Sequence, residues 1–135
     1  MSNANTDVDA IVHFRRANVV HMGDTFFRDR FPFIDTATGG SIDGMIAATG
    51  AGLAVMDART MVIPGHGALS TREDLRAYRD ALMSMRYAVA RLMEEGHSLE
   101  RIQDFRPIRD QAEAWGQDEA AERTFVATIH YGLAR

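Results

Sequence analysis

Between residues 75 and 92, the apolar side chains Leu75, Tyr78, Leu82, Met85, Val89 and Leu92 recur at spacings of 3, 4, 3, 4 and 3. That spacing puts all six on one narrow stripe of an α-helix. A stripe of this kind does not stabilise a helix by itself, because most helical stability in proteins comes from burying an apolar face against something else. The segment therefore demands a second layer. Packing on a sheet is the first reading, and a helix pair with a second chain is the second. Ser70 with Glu73 reads as a capping box at its start, and Gly96, just past Glu95, reads as a left-handed stop.

The sheet is visible upstream. Ala10 to Phe14 and Val19 to Met22 are short β-branched and aromatic runs around a polar Arg15-Arg16-Ala17-Asn18 turn, which predicts a β-hairpin. Apart from His21, both faces of the second run are apolar, so the hairpin is expected to be covered on both sides. A loop from Thr25 to Gly40 follows. Ser41 then caps a helix to about Met56, with Asp43 in its first turn and Ile42, Met45, Ile46, Thr49, Leu53 and Met56 on its buried side. Gly44, Gly50 and Gly52 each cost about 1 kcal/mol relative to Ala in a helix, so tertiary packing must hold this element. Thr60 to Ile63 is a strand running into the turn Pro64-Gly65-His66-Gly67. Beyond the long helix, Ser98 to Phe105 reads as a short helix stopped before Pro107. Asp118 caps a last one with Phe125, Ile129 and Leu133 on one side. The whole, residues 1–135, reads as one α/β (α+β) domain.

Composition removes several chemistries. The chain has no cysteine, so disulfides, thiolate ligands and Cys nucleophiles are excluded, and His, Asp and Glu remain as the strong metal ligands. All 15 basic residues are arginine, which excludes a lysine nucleophile. A net charge of -4 argues against nucleic acid as a partner. No apolar run approaches the ~20 residues that span a bilayer, so no membrane association is expected and cytoplasm is the preferred compartment. No Ser-His-Asp set, phosphate-cradling loop or dinucleotide fingerprint is present.

Three collinear blocks carry a more specific signal: VVHMGDTFF (residues 19–27), PFIDTATGGSIDGMI (32–46) and MVIPGHGALSTREDLRAYRD (61–80). In this order they resemble the C-terminal half of a metallo-beta-lactamase-superfamily domain. The resemblance implies half of an αβ/βα sandwich over residues 1–96, a small sheet with its hairpin covered by helices, and a helical extension over 97–135. It also implies zinc. In the family, the Asp of the Gly-Asp motif bridges two metal ions and the His of the Pro-Gly-His-Gly turn binds one of them, roles that fall on Asp24 and His66. A carboxylate can span two metals while a neutral imidazole completes one coordination shell. Without a metal, Asp24 reads as a turn former bonded to backbone amides and His66 as a satisfied loop histidine.

The departures from the family are as informative. Asn5 stands where the family places a third metal-binding His, Val8 replaces a glycine, and the HxHxDH motif that supplies most ligands is absent. His21 is expected opposite Val12 and His13 opposite Val20, which points the two imidazoles to opposite faces and prevents them from sharing a metal. His97 reads as a solvated helix end, and His130 has no ligand at i±4. Phe26, Phe27, Phe31 and Phe33 form an aromatic cluster, either an exposed patch or a local core under the loop. The expected protein is hydrolase-like, with metal-dependent hydrolysis impaired or absent in the chain alone. The alternative is a non-catalytic α/β module that dimerises. A homodimer, or a separately encoded N-terminal half, would replace the missing layers.

Overall fold

Strand β2 (Val19–Phe27) is the axis of the sheet in the computed structural model, which describes residues 10–135. Strand β1 (Val12–Phe14) pairs with it antiparallel, and β3 (Met61–His66) pairs with its other edge in parallel. A two-residue β4 (Ser70–Thr71) closes the order β1-β2-β3-β4, antiparallel to β3. Parallel neighbours need a long crossover, and helix α1 (Ile42–Ala54) supplies it. Helices α2 (Arg72–Glu94), α3 (Leu99–Phe105), α4 (Arg109–Ala114) and α5 (Glu119–Ala134) follow.

β2 is more than twice as long as the apolar run that announced it, so the loop expected from Thr25 begins only after Phe27. Thr25, Phe26 and Phe27 are buried, and pairing with β3 continues to Phe27 opposite His66. Hydrophobic alternation failed there because the strand is bulged, as described below.

Register fixes which side chains share a face. His13, Val20, Val62 and Ser70 form one cross-strand row, flanked by the rows Phe14-Val19-Met61-Thr71 and Val12-His21-Ile63. Side chains alternate between faces, so the flanking rows share the opposite face. Val20, Val62 and Ser70 are buried, whereas Val12, Phe14 and Met61 are exposed. Among the described residues the hairpin is thus covered on one side, contrary to the expectation of cover on both. The reason is that the C-terminal helices pack on α1, α2 and one another, not across the strands.

The long helix buries Leu75, Tyr78, Leu82, Met85 and Val89, the stripe that its spacing predicts. Its cap is shifted by one residue: Thr71 Oγ1 accepts from Asp74 N, and Asp74 Oδ2 accepts from Thr71 N. Ser70 is instead held in β4 opposite Val62, its hydroxyl donating to Ala68 O. Ser41, Ser98 and Asp118 cap α1, α3 and α5. Helix α4 was not foreseen, since Ala112 is its one buried residue and Ile108 gives it no side-chain cap. Residues from β2, α1, α2, α3 and α5 share one apolar cluster that includes Met22, Met45, Leu82, Ile102 and Ile129. Glu122 of α5 is also buried, and Arg106 donates two hydrogen bonds to it, at 3.1 and 2.7 Å. The phenylalanine cluster divides: Phe26 and Phe27 are buried, Phe31 stacks on Phe125, and Phe33 is exposed. Among the described residues, no helix is long and apolar enough to cross a membrane.

Candidate metal centre

Between the pairings Gly23 with Pro64 and Phe27 with His66, β2 places three residues, Asp24, Thr25 and Phe26, against the single Gly65 of β3. The surplus residues form a bulge, which bends a strand and re-aims its side chains. Thr25 Oγ1 braces it by donating to Met22 O at 2.6 Å. Thr25 and Phe26 turn into the core, and Asp24 is left facing outward. Gly65 makes the arrangement possible. A Cβ there would lie 2.4 Å from Gly23 O and 2.7 Å from Asp24 Oδ1, so a residue with a side chain cannot sit against the bulge.

His66, the last residue of β3, then stands beside Asp24, with its Nε2 3.3 Å from Asp24 Oδ1. Their side chains are 47% and 54% exposed, respectively, so solvent and dissolved ions reach both. The imidazole is oriented from below by Phe27, whose ring stacks on it at 4.6 Å between centroids and 11° between planes. Arg28 fixes the turn from both ends. Its amide donates to His66 O at 2.9 Å, and its guanidinium donates to Leu69 O at 2.9 Å and Ser70 Oγ at 3.1 Å. The loop carrying His66 is therefore clamped to the end of the strand that carries Asp24.

Both residues singled out by the sequence are thus brought together. A zinc ion in a protein takes three or four protein ligands, of which this pair supplies two of the right kinds. Among the described residues, no group of three His, Cys, Asp or Glu side chains is placed to hold a metal ion. Asn5 and Val8 lie outside the described residues. His21 pairs with Val12 and His13 with Val20, so the two imidazoles project from opposite faces, and His21 Nδ1 accepts from Gly23 N at 3.0 Å. His97 is not a simple solvated end, since it packs edge-on against Phe105 and lies 3.5 Å from Glu95.

Sequence reasoning missed the supporting residues Phe27 and Arg28. Phe27 could have been found, because an aromatic three residues past a Gly-Asp strand end is near enough to stack on a neighbouring turn. Arg28 offered no signal, since its acceptors lie 41 and 42 residues away.

A small sheet with its helices on one face and α1 crossing between the parallel strands β2 and β3 is half of the layered arrangement of the metallo-beta-lactamase fold. The particular likeness is to a double mutant of the sec-alkyl sulfatase PisA1, an enzyme of that fold. The superposition has a TM-score of 0.68 at 15% sequence identity and covers 97% of this chain. The chain spans only 23% of the length of that enzyme. No family model matches the chain, and no curated protein does.

Proposed function

We propose that this chain is the metal-binding C-terminal part of a metallo-beta-lactamase-type hydrolase, in which Asp24 and His66 hold zinc together with ligands from another polypeptide segment. The observation that carries the reading is the contact of Asp24 with His66 on a bulge braced by Thr25 and Gly65. Bound zinc would supply an activated water for attack on an ester, amide or sulfate-ester centre. The chain's own contribution is to hold a carboxylate and an imidazole rigid and exposed at one strand end. Two ligands per chain make metal binding by the isolated chain weak, and hydrolysis by it slight or absent.

The test is zinc content after dialysis, with Asp24→Ala as the control. The reading expects weak zinc uptake that is lost in Asp24→Ala and strengthened when a segment carrying an HxHxDH motif is added. Uptake equal in the variant, or unchanged by the added segment, would rule it out.

A second reading is favoured by one observation, the uncovered sheet face with Val12, Phe14 and Met61 exposed. On this reading the chain is a non-catalytic module whose open face is covered by a second copy, since apolar rows of this kind drive association. Sedimentation separates the two. A stable dimer that Phe14→Asp dissociates, with no zinc bound, supports the second reading; a monomer at all concentrations removes it.

A further inference from the structure

The bulge that turns Asp24 outward is held through a single peptide unit. The register passes from His21 opposite Ile63 to Gly23 opposite Pro64, so Met22 has no counterpart on β3, and Pro64 has no N–H to offer Gly23. Side chains take over there. Thr25 Oγ1 donates to Met22 O at 2.6 Å, and Gly23 N donates to His21 Nδ1 at 3.0 Å. Both polar groups of the Met22–Gly23 peptide are thus held by side chains of their own strand. Gly23 stands at φ +55°, the left-handed conformation that glycine adopts freely, and Asp24 follows it directly. The orientation of that one peptide therefore sets where the Asp24 carboxylate points.

The hold at the amide depends on a proton. A backbone N–H can be accepted only by an imidazole nitrogen that carries none, so His21 must be neutral, with its proton on Nε2. Imidazolium carries N–H on both nitrogens and would set a donor against a donor. Thr25 has no such dependence, so acid releases one end of the peptide and not the other. Across the ladder His21 faces Val12 of β1 and Ile63 of β3, and the flanking row is Phe14, Val19, Met61 and Thr71, none of them charged. His13 lies on the opposite face, and on β2 itself the nearest charged residue is Asp24. Among the described residues the histidines that form ion pairs are His66 and His97. The ladder around His21 therefore offers a protonated ring no carboxylate in compensation.

We propose that His21 is a positioning residue of the Asp24–His66 centre: its neutral imidazole fixes the Met22–Gly23 peptide and so aims the Asp24 carboxylate, and its protonation loosens that aim. The consequence for metal affinity rests on the proposal that Asp24 and His66 hold zinc; the conformational consequence does not. With zinc bound, acid would act through two imidazoles, His66, which must be neutral to be a ligand, and His21, which must be neutral to hold the bulge.

The parent, His21→Asn and His21→Leu test it together. Asn Oδ1 stands as many bonds from Cα as His Nδ1 does and accepts from the N–H two residues on, but it does not titrate. Leu offers no acceptor. In metal-free parent protein taken from pH ~8 to pH ~5, the Gly23 amide and Asp24 carboxyl NMR resonances should move with the midpoint of the His21 ring. In His21→Asn that movement should disappear and leave both resonances near the parent's positions at pH ~8. In His21→Leu both should be displaced at every pH. With zinc at pH ~8, His21→Asn should bind within about 2-fold of the parent and His21→Leu roughly 5-fold more weakly, the loss of one neutral hydrogen bond. Should His21→Leu lose its native circular dichroism, the parent and His21→Asn decide. Gly23 and Asp24 resonances that ignore the His21 midpoint, or that a folded His21→Leu leaves in place, overturn the proposal, as does equal zinc affinity in the two variants. Zinc uptake by none of the three overturns the metal reading alone, and the metal-free resonances then settle the role of His21.

Discussion

Replacing Gly65 by alanine adds a single methyl group at the point where β3 touches the bulge of β2. The new Cβ would sit 2.4 Å from Gly23 O and 2.6 Å from Gly23 C, both backbone atoms that cannot swing aside. To reach ordinary van der Waals contact the two strands must part by roughly 1 Å. The nearby hydrogen bond from Arg28 N to His66 O, 2.9 Å long, would then exceed bonding distance. Overpacking strain of about 1–3 kcal/mol and one lost hydrogen bond of about 1 kcal/mol together give about 2–4 kcal/mol. For a chain of this length that lowers Tm by about 6–15 °C. Thermal and urea denaturation followed by circular dichroism measure it, and under the zinc reading metal uptake should fall as well. A Tm within ~2 °C of the parent, with the Asp24 and His66 resonances unmoved, would refute the claim that Gly65 is what lets the two strand ends meet.

The caps, core and ion pairs of the structure set further outcomes. Thr71→Ala should cost about 1 kcal/mol by urea denaturation and Glu73→Ala almost nothing, because Thr71 with Asp74 forms the cap of α2. Leu82→Ala, at a fully buried position in the middle of the α2 stripe, should cost about 2–5 kcal/mol in the same assay. Arg106→Ala should lower Tm far more than Arg109→Ala, since the first leaves the buried Glu122 carboxylate alone and the second breaks an exposed pair. Asp57 is held below its ordinary 3.8 by the Asn18 side chain first and the Arg59 amide second. A depressed folded value gives stability that is present above pH 3.8 and lost as pH falls through the folded value. Carboxyl NMR titration should place Asp57 below 3.8, and Asn18→Ala should move it back up.

What the sequence disclosed depended on how local the governing forces were. The α2 stripe and its Gly96 stop are set by residues within a turn of each other, and both appear as read. Helix α1, weakened by three glycines, persists because Gly52 packs directly on Met22, where a Cβ would lie 2.6 Å from the sulfur. That contact joins residues 30 apart, so propensity could not reveal it. The same holds for the true extent of β2. The bulge at Asp24 breaks the period-2 alternation on which strand recognition rests, so Thr25 to Phe27, which complete the strand beyond Asp24, were read as loop. Asp24 and His66 were found through their motifs rather than their periodicity.

The features that sequence patterning described worst are the ones through which function would act. A bulge, a glycine pressed against backbone and an arginine clamping a loop all depart from regular element geometry. The bulge is braced within its own strand, by Thr25 on Met22 O, whereas the clamp joins residues 41 and 42 apart, Arg28 on Leu69 O and Ser70 Oγ. Such departures cluster where a fold is shaped for something other than its own stability. The open face of the sheet fits the same logic. The rows bearing Val12, Phe14 and Met61 are as apolar as the buried row between them is, yet among the described residues no helix lies on them. An apolar surface that the described residues leave open is one that a further polypeptide segment or a second copy would stabilise by covering it.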